Sequence, residues 1–81
     1  MIPEYTTDSL KRYVEQGIPT GDFLRAVLSN DLMEAMGRAD ENNRAALWDI
    51  CCYVYNEMPS TSHGSPQRVD EWIRKHQEKR A

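Results

Sequence analysis

Two adjacent cysteines, Cys51 and Cys52, and two histidines, His63 and His76, are the side chains of this sequence best suited to chemistry. A thiolate beside an imidazole can act as nucleophile and base, and both residue types can ligate a metal ion. Catalysis would bring those groups to one place together with donors for an oxyanion. The cysteines fall instead inside "ALWDICCYVYNEM", the most apolar stretch of the chain. A thiol there behaves as a small hydrophobe with a raised pKa. His63 stands in a loop before Gly64 and reads as a residue hydrogen-bonded to nearby backbone, and His76 as an interface or solvent-facing residue of the last helix.

Metal chemistry fares no better. Neighbouring helical residues point about 100° apart, and two adjacent cysteines with two distant histidines match no ligand spacing of the Cys-x-x-Cys or His-x-x-x-His type. The "DENN" run lacks the alternating acids and closing Glu of a calcium loop, and Gly17 and Gly21 are isolated rather than part of a phosphate cradle. The reading is no catalytic residue, no cofactor and no metal.

Adjacent cysteines cannot pair in an ordinary disulfide with each other, and the chain holds no third. Reduced thiols fit a reducing compartment. No run approaches the roughly 18 to 20 apolar residues of a membrane span, and "MIPEYTTDSL" lacks the basic start and apolar block of a signal peptide. The expected location is the cytoplasm, with no membrane.

At 81 residues the chain is one domain, of a size that buries only about 60% of its unfolded surface. With 40% hydrophobic and 28% charged residues it has the balance of a folded chain rather than a disordered one. The net charge of −3 is unevenly spread. Between Tyr13 and Met58, acids outnumber bases eight to three, whereas Pro66 to Ala81 is mildly basic. An acidic body repels phosphate backbones and attracts basic protein surfaces, nucleic-acid-binding proteins among them. Nucleic acid is therefore an unfavoured partner. The one basic cluster, Arg74, Lys75, Lys79 and Arg80, ends the chain and is diluted by Asp70, Glu71 and Glu78.

Helices must position all of this. "TTDSLKRYVEQG" offers Thr6 or Thr7 as N-cap, Leu10, Tyr13 and Val14 as an apolar face, and Gly17 as the stop. A second helix is expected over about 21–29 with Thr20 as N-cap. A third follows from the cap residues Ser29 and Asn30 to Gly37, or bends on from the second. The long element runs over 42–58, with Leu47, Ile50, Cys51, Val54 and Met58 in one stripe and Trp48, Cys52 and Tyr55 widening it to most of the circumference. A helix apolar all round is buried. A strand over "ICCYVY" is rejected, since it has no alternation and no partner run. Ser65 and Pro66 open the last helix as N-cap and first residue, and its Val69, Trp72, Ile73 and His76 share a face. The fold is all-α: a compact single domain, 1–81, of four to five short helices around a central buried helix at about 42–58, frayed at 1–5 and 78–81.

More large apolar side chains are present than so small a core covers, and a leftover patch marks a partner site. Tyr53 is its best candidate, because it falls off the main stripe.

The run from Gly17 to Gln77 carries "IPTGDFLRAVLSNDL", "AMGRAD", "YVYNEMP" and "GSP" followed by "V" and "WI". In these it resembles a family of small uncharacterised proteins encoded in tailed-phage and prophage genomes. Within the shared blocks Asn30 and Asp31 read as a cap, and Gly37 to Asp40 as a tight turn in which Arg38 pairs with Asp31 or Asp40. That turn, Asp31, Glu34, Arg38, Asp40 and Glu41, is with Tyr53 the candidate partner-binding set.

The resemblance and the acidic body together predict a non-enzymatic phage accessory protein that binds and modulates a host or phage protein, such as a host defence complex of the CRISPR surveillance kind. Two alternatives stay open: a small DNA-binding transcriptional regulator, and a self-assembling structural component, with a homodimer as its simplest form.

Overall fold

The computed structural model describes residues 1–80, which build an all-helical globule of 38 × 23 × 21 Å. Six α-helices follow one another: α1 (Glu4–Gln16), α2 (Asp22–Leu28), α3 (Leu32–Arg38), α4 (Glu41–Ala45), α5 (Leu47–Glu57) and α6 (Pro66–Arg80). A single 3-10 turn, Ser60–Ser62, lies before α6. The count exceeds the expected four to five because the long element is divided. Ala46, with φ −103° and ψ 8°, interrupts it, so that α4 and α5 replace one helix over 42–58.

Local capping accounts for most of the boundaries. Asp31 caps α3 by accepting from the Glu34 amide at 3.3 Å, and Asp40 caps α4 by accepting from the Asn43 amide at 2.7 Å. Ser65 accepts from the Arg68 amide at 3.2 Å, as its place before Pro66 predicts. Three expected caps move. α1 starts at Glu4, because the Pro3 carbonyl accepts from the Thr6 and Thr7 amides. Thr20 donates to the Gly21 carbonyl at 3.2 Å instead of capping α2. Gly37 does not stop α3, which runs on to Arg38; the left-handed residue of that hairpin is Asn30, at φ 64°. α6 continues to Arg80, so that end of the expected fraying is helical as far as Arg80, and Ala81 lies outside the described residues.

The core gathers Leu10 and Tyr13 of α1, Leu24 and Leu28 of α2, Ile50 and Val54 of α5, Met58, and Val69 of α6. α2 and α3 form a helical hairpin against which α6 packs, and an ion pair of 2.9 Å between Arg25 and Asp70 bridges α2 to α6. Only one side of α5 joins this core. Trp48 and Tyr55, on its other side, are 80% and 81% exposed.

Two buried polar contacts fix α1. Tyr13 donates its hydroxyl to the Ser62 carbonyl at 2.6 Å, and Thr6 donates to Asn43 Oδ1 at 2.6 Å. In Thr6→Val the buried Asn43 oxygen loses that donor, which costs about 1 to 3 kcal/mol. We expect a lower urea midpoint at unchanged m-value, with Thr6→Ser close to the parent. Equal midpoints for Val and Ser would show that the bond contributes nothing.

Candidate functional site

α3 and its two junctions hold the charged residues singled out by the sequence. Asp31 and Asp40 are the N-caps of consecutive helices, and Arg38 lies one α3 turn beyond Glu34. Arg38 pairs with neither cap. Its Nε donates to Glu34 at 2.7 Å, and its Nη1 reaches Asp22 of α2 at 3.3 Å. The i, i+4 spacing makes Glu34 the nearer acid on the helix surface, while both caps are turned to backbone amides. Asp22, Arg25, Asp31, Glu34 and Arg38 thus line one shallow cleft of about 280 Å³ between α2 and α3.

Asp40 belongs to a different contact. It accepts from the Asn43 amide and, at 2.7 Å, from the Tyr5 hydroxyl. Those donors hold its carboxyl below the usual range, the amide contributing most. Glu41 begins α4 as an exposed first-turn acid. Tyr53 is half-buried and packs against the core, apart from all of these.

The exposed apolar surface lies elsewhere, on two helices. α3 presents Leu32, Met33 and Met36, with Met33 77% exposed. α5 presents Trp48 and Tyr55, between which the half-buried Cys51 and Cys52 complete an i, i+3, i+4, i+7 row. That row lines a groove of about 530 Å³, closed on its far side by Val27, His63, Gly64 and Arg68. The sequence does contain this signal, since 48, 51, 52 and 55 repeat at helical spacing as faithfully as 47, 50, 54 and 58. The same residues fit a helix with two apolar stripes, one facing the core and one facing out.

Burial pushes the Cys51 thiol up, and its neighbour Cys52 adds to the shift. It stays protonated at neutral pH and is a poor nucleophile. His76 is not solvent-facing. It stacks on Trp72 with ring centroids 4.9 Å apart and packs over Gly17, its Nδ1 3.0 Å from the Trp72 carbonyl.

Burial holds the His63 imidazole below its usual 6.5; the Met58 carbonyl opposes that shift and the Arg68 guanidinium adds to it. Its Nε2 is buried without a partner. The fold therefore favours neutral His63, and its contribution to stability is complete above pH 6.5 and is lost as the pH falls through the lowered folded value. In His63→Gln the loss of stability between about pH 7 and pH 5 is expected to flatten. An unchanged acid limb in a urea series would assign it to other groups.

Among the described residues no three His, Cys, Asp or Glu side chains converge as metal ligands, and no helix is long and apolar enough to cross a membrane. Arg74, the centre of the basic cluster, is engaged by Glu71 and Glu78. No protein-family model, curated protein or solved structure matches the chain.

Proposed function

We propose that this chain is a non-enzymatic phage or prophage accessory protein that docks on a basic surface of a host or phage protein through α3 and modulates it, a nucleic-acid-binding defence complex such as CRISPR surveillance being one such target. The phage origin rests on the sequence motifs alone. The observation that carries the docking reading is the composition of α3 and its junctions: Leu32, Met33 and Met36 stand exposed among the exposed acids Asp31, Glu34, Asp40 and Glu41. Apolar side chains supply the contact area, methionine adapting to irregular surfaces, and the surrounding acids select a basic partner and speed encounter. The pairing of Arg38 with Glu34 and Asp22 removes the one cation of α3 from competition with such a partner.

The test is affinity capture by the tagged protein from host lysate, with and without infection, against a Met33→Lys/Met36→Lys variant. Both methionines are exposed, so the variant keeps the fold. One stoichiometric protein partner, released by salt and lost in the variant, is the expected result. Capture of the chain alone, or retention of DNA at low salt by the purified protein, would replace this reading with self-assembly or with a DNA-binding regulator.

A further inference from the structure

We propose that a second copy of this chain docks on the exposed side of α5, the two helices crossing antiparallel about a two-fold axis between Cys51 and Cys52.

The row on α5 is self-complementary. Read along the helix it is large, small, small, large: Trp48, Cys51, Cys52, Tyr55. A two-fold axis between Cys51 and Cys52 sets Trp48 of one copy over Tyr55 of the other and the cysteines face to face at the crossing point. An isologous contact requires such a pairing of a patch with itself. Small side chains at the crossing let two helices approach to the 8–10 Å typical of packed pairs, while the aromatic rings close both ends. The row spans two helical turns, roughly 10 Å, which is the length over which two crossing helices stay in contact.

Charge agrees with that occupant. The row itself carries no acid or base, so the antiparallel crossing brings no like charges together. A basic partner helix would have to lay its charge along an uncharged aromatic row instead.

The area sets the strength. Two aromatic side chains, each four-fifths exposed, offer about 300 Å² per copy. With the groove walls this reaches the small end of specific interfaces, below about 1,200 Å² in total. The dimer is therefore reversible and concentration-dependent. It uses none of the residues of the α2–α3 cleft, so its failure would leave the proposed docking role standing.

Sedimentation velocity from about 1 μM to about 1 mM tests it. The mass should rise from the 9.4 kDa of one chain toward twice that value. Trp48→Ser/Tyr55→Ser should weaken association at least tenfold with an unchanged thermal midpoint, and Trp48→Phe should retain it. Diamide, by taking two electrons and two protons from a facing pair of thiols, should form a disulfide-linked dimer that Cys51→Ser/Cys52→Ser abolishes. A chain monomeric throughout the range, or a dimer indifferent to the double aromatic substitution, overturns the proposal.

Discussion

Gly17→Ala is expected to lower the thermal midpoint by about 10 to 25 °C. Two penalties add at this position. Gly17 ends α1 in the left-handed region at φ 67°, where its amide donates to the Tyr13 carbonyl at 2.9 Å. A side chain there costs about 1 to 2 kcal/mol. A Cβ would also lie 2.3 Å from His76 Cβ and 2.7 Å from its Cγ. The obstruction is the root of the histidine side chain, so a rotamer change cannot relieve it and α6 must shift, at a further cost of about 1 to 3 kcal/mol. A double-mutant cycle separates the two. His76→Gly removes the obstruction and leaves the backbone strain, so Gly17→Ala should cost less in that background. A melt of Gly17→Ala matching the parent would mean that α1 and α6 do not approach as described.

Tyr13→Ala is expected to leave the chain largely unfolded at 37 °C. The residue is fully buried, and truncating a buried aromatic costs about 3 to 5 kcal/mol. That is a large share of the roughly 4 to 12 kcal/mol available to a domain of this size. Tyr13→Phe isolates the hydroxyl. It keeps the ring but strips the Ser62 carbonyl of its donor, for about 1 to 2 kcal/mol. The same burial pushes the Tyr13 phenol up to about 12, with Arg25 opposing the shift and Asp70 adding to it. The fold thus retains a proton that the unfolded chain releases near 10. Stability from this source is complete below pH 10 and disappears as the pH rises through 12. Urea midpoints from pH 9 to pH 11.5 should fall less steeply in Tyr13→Phe than in the parent. Parallel curves would place the alkaline loss on other groups.

The parts of the fold legible in the sequence are those whose cause is local. Ser65 with Pro66, Asp31, Asp40 and Gly17 end or begin helices through contacts within a few residues, and their types announce it. What stayed hidden depends on tertiary packing. Ala46 is a strong helix former, yet it is buried where the chain must bend to seat both α4 and α5. Gly37 looks like a stop, but helix α3 runs through it because Ala35 is held down in the hairpin with α2.

The same limit applies to the surface. Periodicity reveals that α5 has apolar rows and is silent about which row faces inward; only the packing of its neighbours leaves Trp48 and Tyr55 outside and turns Tyr53 to the core. The charged set was more readable. Asp31, Glu34 and Arg38 do share a cleft, although the acid from α2 that completes it, Asp22, is sixteen residues from Arg38 and gave no local sign.

The bonds that hold Tyr13 also decide when this protein can exist during its own synthesis. Its hydroxyl meets a carbonyl 49 residues downstream, and its own carbonyl meets the Trp72 indole 59 residues downstream. α1 precedes both of them in the chain, so its environment is completed only when Ser62 and then Trp72 have been made. A ribosome adds about 5 to 20 residues per second, so α1 waits seconds for them. The environment of α1 is therefore complete only after residue 72 has been made, and a chain that stops before Trp72 leaves the Tyr13 carbonyl without its indole donor.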